Sequence, residues 1–226
     1  MVGLLVCGAE GRMGSRVCAL AQSDPRFLLR GGLSKATPRS ERDFLLRSCG
    51  VVVDFSVPSA ALDLARACAA ARKALVIGTT GLSEAQAAAL ARLAKRAPIF
   101  LAPNFSPAVA LLGALARLAA AGLPGYDAAI FEVHHRAKKD APSGTALRLA
   151  QAVKAGSGKT PAIASERVGA VVGEHTVTIA GPFERLELTH RAQSRDLFAQ
   201  GALDAAAWTA RRKPGLYGMD DMLGLR

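Results

Sequence analysis

The chain has 226 residues, which is enough for one large domain or two of modest size. Hydrophobic residues make up 50% of it and charged residues 21%, a composition that excludes an intrinsically disordered chain. The formal net charge is +11, but the basic residues are scattered and aromatic residues amount to only 5%, so a nucleic-acid partner is not favoured.

The chain shows no targeting or metal-binding pattern. No apolar run approaches the roughly 18 residues that a membrane span requires, so we expect no membrane partner. The apolar residues 1–7 lack a basic leader and a cleavage site, and they are typical of a strand rather than a signal peptide. No His/Cys spacing fits zinc, so no metal is predicted. The four cysteines are scattered and favour buried free thiols in a reducing cytoplasm: Cys7, Cys18, Cys49 and Cys68.

The first half of the chain alternates short apolar runs with helical stretches. Such alternation predicts an α/β fold with an open, mostly parallel Rossmann-type sheet and helices on both faces. The predicted strands are 2–6, 28–33, 51–55, 75–77 and 99–101, and the predicted helices are 12–22, 59–73 and 83–96.

The pattern changes after residue 105. Ser106 and Pro107 are typical of a helix start, and alternating strand patterns appear later in the chain. We therefore expect a second, α+β domain with a mixed sheet at 106–195, and a dinucleotide-binding domain formed by 1–105 together with 196–226. The predicted helices here are 106–121, 145–154 and 198–208, and the predicted strands are 127–134, 168–172, 174–180 and 184–192.

A glycine-rich turn follows the first predicted strand and opens the first predicted helix. Gly8, Gly11 and Gly14 form a variant of the dinucleotide fingerprint, in which glycines permit a tight turn and the approach of a pyrophosphate to the helix N-terminus. The position after a strand is the context that this motif requires, although an ordinary tight turn would also place glycines there.

Three further segments are candidates for contact with the cofactor. Ser34 and Lys35 close the second predicted strand, where an acid usually binds the ribose of NAD, so we hypothesise NADPH binding with help from Arg39. The other two loops follow the fourth and fifth predicted strands, and each taken singly could be ordinary turn chemistry. They are Gly78-Thr79-Thr80-Gly81 and Ala102-Pro103-Asn104-Phe105-Ser106.

One short segment gathers proton donors, cations and a helix start. His134 and His135 are followed by Arg136, Lys138 and Lys139, and Ser143-Gly144-Thr145 then begins a predicted helix. Histidine suits proton transfer near neutral pH, and a helix N-terminus with nearby cations suits a carboxylate. A solvated basic surface is the alternative interpretation, and the segment alone does not decide between them.

Four segments, in this order, resemble a single family. They are Gly8-Ala9-Glu10-Gly11-Arg12-Met13-Gly14, Gly78-Thr79-Thr80-Gly81, Pro103-Asn104-Phe105-Ser106 and the stretch from Glu132 to Ala146. The chain thereby resembles the 4-hydroxy-tetrahydrodipicolinate (dihydrodipicolinate) reductases of the diaminopimelate route to lysine, over nearly its whole length. The resemblance implies a cytoplasmic homotetramer that reduces a small dicarboxylate with NADPH or NADH.

The resemblance also assigns roles to residues. It implies that His134 is the general acid/base, that Lys138 is a second proton donor, and that His135 contacts the substrate. It implies a carboxylate site at Gly144 and Thr145, with the Ser143 hydroxyl as a further candidate. The implied cofactor contacts are Gly8, Ala9, Glu10, Gly11, Arg12, Met13, Ser34, Lys35, Gly78, Thr79, Thr80, Ala102, Pro103, Asn104 and Phe105. Arg195 matches an arginine at the return to the nucleotide domain.

Two departures and two rival functions stand beside this interpretation. The family often has an acid where Ser34 stands, and only about 15 residues separate Lys35 from Val51, so we expect a trimmed or missing helix or strand there.

We expect structural roles for His175 and His190, and pairing of Arg136 with an acid such as Glu132. The rivals are another NAD(P)-dependent amino-acid or semialdehyde dehydrogenase, and a nucleotide-sensing regulator suggested by the net charge.

Overall fold

The computed structural model describes residues 1–225, which divide into two compact units. The first unit contains Met1–Phe105 and Asp196–Gly224, and the second contains Ser106–Arg195. The strands in chain order are β1 (Val2–Cys7), β2 (Phe27–Leu33), β3 (Val51–Asp54), β4 (Ala74–Ile77), β5 (Pro98–Leu101), β6 (Asp127–His134), β7 (Ala162–Arg167), β8 (Glu174–Ala180), β9 (Arg185–Arg191) and β10 (Gly215–Tyr217). The helices are α1 (Arg12–Ser23), α2 (Arg39–Ser48), α3 (Pro58–Ala71), α4 (Glu84–Leu93), α5 (Pro107–Gly122), α6 (Gly144–Ser157), α7 (Asp196–Thr209) and α8 (Met219–Leu223).

The first unit is built on a six-stranded sheet in which every neighbouring pair is parallel. Its order is β10-β5-β4-β3-β1-β2, so the direction of strand addition reverses at β1. Helices α2, α3 and α4 cover one face around Leu5, Val52 and Leu75. Helices α1 and α7 contact the strands from outside this cluster. The prediction of a Rossmann-type parallel sheet is confirmed, because residues such as Val51–Val53 are buried on both faces.

The second unit is a four-stranded mixed sheet with helices on one face. Its order is β7-β6-β8-β9, with β6 and β7 parallel and the other pairs antiparallel. Helices α5 and α6 pack on the face that carries Ile130, Val177 and Ile179. The predicted mixed sheet is therefore confirmed as well. Its central strand β6 ends at His134, where the candidate site begins.

One sequence-based expectation about these elements is wrong, and a second is narrowed by the structure. The strand predicted at 168–172 lies instead at Ala162–Arg167, an edge strand that pairs only with β6 and whose mostly exposed side chains give no apolar alternation. Between Lys35 and Val51 the helix is present rather than missing, because the ten residues of α2 suffice to cross from β2 to β3. Strand β10 and helix α8 were not predicted.

Among residues 1–225, no helix combines the length and the apolar character that crossing a membrane would demand. All four cysteines have free thiols, and Cys49 and Cys68 are buried. Burial and the carboxylate of Asp54 raise the pKa of Cys7 to about 12, which keeps this thiol neutral.

Candidate active site

The glycine-rich turn lies at the carboxyl end of β1, the strand at which the sheet order reverses. Open parallel sheets bind ligands at this point. Gly8 has a φ of +76°, and a Cβ there would come within 2.5 Å of the Phe55 carbonyl oxygen, so the turn requires glycine. Gly11 caps α1, and no side chain within residues 1–225 supplies a capping bond or an acid in the first turn. The start of α1 therefore fits a cofactor pyrophosphate.

The other predicted cofactor residues lie along the same edge of this sheet. Gly78, Thr79 and Thr80 follow β4, and Ala102–Phe105 follow β5, so both loops stand at carboxyl ends of parallel strands. The Thr79 hydroxyl donates a hydrogen bond to Asp54 at 2.7 Å. The Phe105 ring is buried against Phe55 and Phe100, so it shapes the loop from inside the core.

Asp54 is a buried acid at this edge that the sequence-based analysis missed. It ends β3 with no exposed surface, and it accepts hydrogen bonds from the hydroxyls of Thr79 and Ser56. Burial raises its pKa, while these hydrogen bonds act in the opposite direction. An acid placed directly after the apolar run Val51–Val53, at the carboxyl end of a strand, is the signal that could have found it.

The segment predicted to bind the adenosine ribose forms a tight turn after β2. The Ser34 backbone N–H donates to the Thr37 hydroxyl at 2.9 Å, and the Ala36 N–H donates to the Ser34 hydroxyl at 3.2 Å. The Lys35 side chain is exposed, and Arg39 is exposed at the start of α2. Lys35 therefore lies just beyond the end of β2, where an acid would bind a ribose 2′-hydroxyl, and Arg39 lies four residues further on, 4.0 Å from Asp43.

In the second unit, His134 occupies the last position of β6 and is 8% exposed. Its Nδ1 forms a short hydrogen bond to Glu132, which is wholly buried. Burial lowers the pKa of His134, Glu132 acts in the opposite direction, and the charges of Lys138 and Arg167 lower it further. The ring is thereby held through Nδ1, and Nε2 is left for chemistry.

Lys138 reaches the same region from the turn that follows β6. Its Nζ contacts both carboxylate oxygens of Asp140 at 2.9 Å, and its side chain is only 22% exposed. The ion pair with Lys138 lowers the pKa of Asp140. His135 is half-buried beside His134, and Arg136 and Lys139 are exposed. The expected pairing of Arg136 with Glu132 is wrong, because the guanidinium of Arg167 binds that carboxylate instead.

The start of α6 completes the cluster. Ser143 caps the helix and is buried, and its Oγ accepts from the Ala146 N–H at 3.2 Å and lies 3.2 Å from Nε2 of His175. Gly144 is exposed, and a Cβ there would meet no described atom within 4 Å. Thr145 is half-buried. The hydroxyl of Ser143 thus supports the helix from inside, and the backbone N–H of Gly144 donates to the Asp140 carboxylate, while the space where a Cβ of residue 144 would lie is open.

His175 lies behind His134 on the neighbouring strand β8. Their ring centroids are 5.1 Å apart in an edge-to-face arrangement. Burial, followed by the charge of His134, lowers the pKa of His175 to about 4, so this imidazole is neutral near pH 7. His190 on β9 lies 3.4 Å from the Ser106 hydroxyl through Nε2, and burial lowers its pKa as well.

Glu132, His134 and His175 also meet the distance criterion for a metal site. Their potential ligand atoms lie within 4.8 Å of one another. Both oxygens of Glu132, however, already accept hydrogen bonds from Arg167, and a guanidinium beside the carboxylate repels a second cation. We assign no metal to this cluster.

The first unit thus carries a nucleotide edge, and the second carries a cluster of proton donors and a helix start. This combination defines a nicotinamide-dependent oxidoreductase built on a Rossmann-type domain. The family model for the N-terminus of dihydrodipicolinate reductase matches residues 2–105, and the model for its C-terminus matches residues 108–223. The chain therefore belongs to the dihydrodipicolinate reductase family.

Individual relatives and a solved structure agree with this assignment. A 4-hydroxy-tetrahydrodipicolinate reductase of Xanthomonas campestris is 43% identical, with 98% of each chain covered. The reductase of Aquifex aeolicus is 41% identical, with 99% of each chain covered. A dipicolinate-bound dihydrodipicolinate reductase from Paenisporosarcina has the same fold, with a TM-score of 0.85, 23% identity and coverage of 98% of this chain and 99% of that one. The predictions of family, enzyme class and nicotinamide cofactor are confirmed.

Proposed function

We propose that this chain reduces 4-hydroxy-tetrahydrodipicolinate to tetrahydrodipicolinate with NADPH or NADH, in the diaminopimelate route to lysine. The observation that carries this proposal is the grouping of His134, Lys138 and the open start of α6 around the end of β6. A family at about 40% identity over its whole length supplies the substrate class.

The substrate carries two carboxylates, and this chain offers them a helix start and several cations. We assign one carboxylate to the backbone N–H groups of Gly144 and Thr145, where the partial positive charge of the α6 N-terminus favours an anion. We assign further positive charge to Lys139 and to Lys138, which pairs with Asp140 at 2.9 Å, and a substrate contact to His135. The Ser143 hydroxyl remains with the helix cap, so we assign it an indirect part in binding.

The reduced ring needs a proton, and we assign its donation to His134. The protonated ring keeps Nδ1–H on Glu132 and donates from Nε2. Because burial lowers the pKa of His134, the protonated fraction falls as pH rises, and turnover should fall with it. Lys138 assists as a second donor and balances the charge of the substrate.

The nicotinamide cofactor supplies the hydride when it is bound. The start of α1 at Gly11, Arg12 and Met13 would hold its pyrophosphate, with Gly8, Ala9 and Glu10 forming the turn before it. Loops Gly78–Thr80 and Ala102–Phe105 would contact the rest of the dinucleotide. Asp54 keeps the Thr79 loop in place from below.

Substitution of the two proton donors tests the catalytic assignment. We expect His134→Gln and Lys138→Ala each to lower kcat by about 10²–10⁴-fold, the span of general acid catalysis. The measurement is oxidation of NADPH with the substrate freshly supplied. Lys159→Ala, on the exposed turn after α6, is the control and should keep normal turnover. Near-normal kcat in both His134→Gln and Lys138→Ala would remove the assignment.

Cofactor choice is a second prediction. Because Lys35 and Arg39 stand where an acid would repel a 2′-phosphate, we expect kcat/KM to be higher with NADPH than with NADH. Lys35→Ala should lower kcat/KM for NADPH by about tenfold and leave NADH nearly unchanged, as removal of one charged hydrogen bond predicts. A clear preference of the unaltered enzyme for NADH would contradict the proposal.

We further propose a cytoplasmic homotetramer assembled through the second unit. The sheet face opposite α5 and α6 leaves Phe131 45% exposed in the middle of β6, among the threonines Thr176, Thr178 and Thr189. We assign the contact between subunits to this sheet face, because no described helix of the second unit covers it. Light scattering of the purified protein measures the mass, and a monomer at micromolar concentration would contradict this assembly.

A further inference from the structure

Glu132, the acid that bonds Nδ1 of His134, is wholly buried. Glu132 stands two residues before His134 on β6, so both side chains project from the same face of the strand. Ile130 shares that face and lies in the apolar core under α5 and α6. A carboxylate in line with a core isoleucine costs several kcal/mol in desolvation unless it is fully paired.

Strand register brings the partners of Glu132 to it. On β7, Arg167 is the register partner of His134, and on β8, His175 is the register partner of Glu132. The Arg167 guanidinium therefore approaches from one neighbouring strand and the His175 ring from the other. This placement depends on β7 and β6 being parallel, since the opposite direction would carry Arg167 to the far end of the sheet.

The carboxylate of Glu132 accepts hydrogen bonds on both oxygens, and Ser165, its register partner on β7, also donates to it. Oε1 accepts from Nη2 of Arg167 at 2.8 Å and from the backbone N–H of Ser143 at 3.1 Å. Oε2 accepts from Nη1 of Arg167 at 3.0 Å and from Nδ1 of His134. One buried anion thus contacts the imidazole of His134 and the first turn of α6, and Arg167 compensates its charge in a bidentate pair.

We propose that Glu132, held by Arg167, is a positioning residue that fixes the orientation and the Nδ1–H tautomer of His134 and ties it to the start of α6. The proposal rests on the role of His134 given under the proposed function. Glu132 itself transfers no proton. With Nδ1–H committed to Glu132, Nε2 alone exchanges the catalytic proton, and the neutral ring that remains is already in the correct tautomer.

Among the charged groups around the His134 ring, Glu132 has the largest influence on whether that ring is protonated. The strands bring four titratable or charged side chains to the surroundings of the His134 ring: Glu132, Arg167, His175 and His190. The turn after β6 adds Lys138 and its partner Asp140. His175 is neutral near pH 7. Burial would raise the pKa of Glu132, but hydrogen bonds from Arg167, Ser165 and His134 bring it to about 2. Glu132 is therefore an anion at working pH, and it is the anion in direct contact with His134.

Glu132→Gln tests the proposal because it keeps the shape and one acceptor oxygen but removes the charge. We expect kcat to fall at least about tenfold, with a smaller change in KM. The fall in kcat with rising pH should move to lower pH by about 1–3 units, because an opposite charge at contact distance shifts a pKa by that amount. A titration of His134 followed by ¹⁵N-histidine NMR should show the same shift without any turnover.

Two further variants keep the test decisive. Glu132→Gln with Arg167→Met removes both charges, and it replaces the single variant if an unpaired Arg167 prevents folding. Asp63→Asn breaks an exposed carboxylate–arginine pair with Arg66, and it should leave kcat and its pH dependence unchanged.

The outcomes separate this proposal from the one on which it rests. A purely structural Glu132 would lower the midpoint of thermal unfolding and leave both the pH dependence and the NMR titration of His134 unchanged, and that result overturns the proposal. If His134→Gln retains normal turnover, the assigned role of His134 fails, while the NMR titration still reports whether Glu132 sets its protonation and tautomer.

Discussion

Gly173, just before β8, has no side chain at the point where the His134 ring lies closest. A Cβ at this position would come within 2.9 Å of Nε2 and 3.1 Å of Cδ2 of His134. The ring cannot retreat easily, because its other nitrogen is bonded to the buried Glu132. Space at Gly173 is therefore part of what places Nε2.

Gly173→Ala should consequently lower kcat. We expect a loss of about 10- to 100-fold, since displacement of a reacting group by about 1 Å has effects of this size. Steady-state kinetics at saturating substrate measure it, and circular dichroism verifies folding. Gly122→Ala is the matched control, because a Cβ at Gly122 meets no described atom within 4 Å. Wild-type kcat in Gly173→Ala would contradict the geometry described for His134.

At the scale of single residues, a catalytic role could be predicted from the sequence only where the residues that share it lie close together along the chain. His134 and Lys138 share one short segment, so residue type and spacing indicated proton transfer. Arg167 binds Glu132 across 35 positions of the chain, and Gly173 is placed against His134 by sheet register. Spacing carries no information about such pairs, because strand pairing decides them.

At the scale of single elements, neighbouring residues at the start of α6 serve different purposes: one stabilises the helix and the next is assigned to substrate binding. Ser143 caps the helix through its hydroxyl, and Gly144 follows at the first helical position, where an added Cβ would meet no described atom within 4 Å. Loss of an N-cap costs about 1 kcal/mol, whereas alanine at an open helical glycine costs nothing or stabilises slightly.

Gly144→Ala should therefore raise KM for the dicarboxylate while leaving stability unchanged. A new methyl group beside the N–H groups that we assign to a carboxylate weakens one charged hydrogen bond, so we expect about a tenfold effect on KM. Ser143→Ala is the contrasting variant, in which the free energy of unfolding should fall by about 1 kcal/mol. An unchanged KM in Gly144→Ala would move the carboxylate site away from this helix start.

The elements themselves were predictable where burial is complete. Val51–Val53 form a continuous apolar run because β3 is covered on both faces, and the sequence predicted it. Strand β7 was misplaced because it is an edge strand with polar, exposed residues, and the more apolar residues 168–172 mimic a strand. Gly169, with a φ of +51°, is one of the residues that interrupt that stretch.

At the scale of the whole molecule, buried histidines make stability depend on pH. Burial lowers the pKa of His175 to about 4 in the folded chain, against an ordinary value of 6.5. The unfolded chain therefore binds the proton more readily, and stability is lost as pH falls from about 6.5 to 4. The lowered pKa values of His134 and His190 act in the same direction, whereas the raised pKa of Asp54 acts in the opposite one.

Urea unfolding at a series of pH values measures this dependence. We expect the free energy of unfolding to fall by about 3 kcal/mol between pH 6.5 and pH 4 on account of His175. His175→Gln should flatten the dependence in this window, although it also changes the contact with Ser143. A wild-type stability that stays constant over the window would show that His175 is not buried in neutral form.

The first unit is closed by residues that lie far along the chain from its beginning. Helix α7 packs against α1 and against strands β3, β4 and β5, strand β10 pairs with β5, and Asp196 and Asp204 bind Arg16 and Arg26. A ribosome must therefore synthesise the entire continuous second unit before the nucleotide sheet can be covered. During translation we expect the second unit, which is continuous in sequence, to reach its native form first. The N-terminal strands of the first unit stay uncovered until α7 has been synthesised. A nascent chain arrested after residue 195 should accordingly fold its mixed sheet and still expose the apolar face of its parallel one.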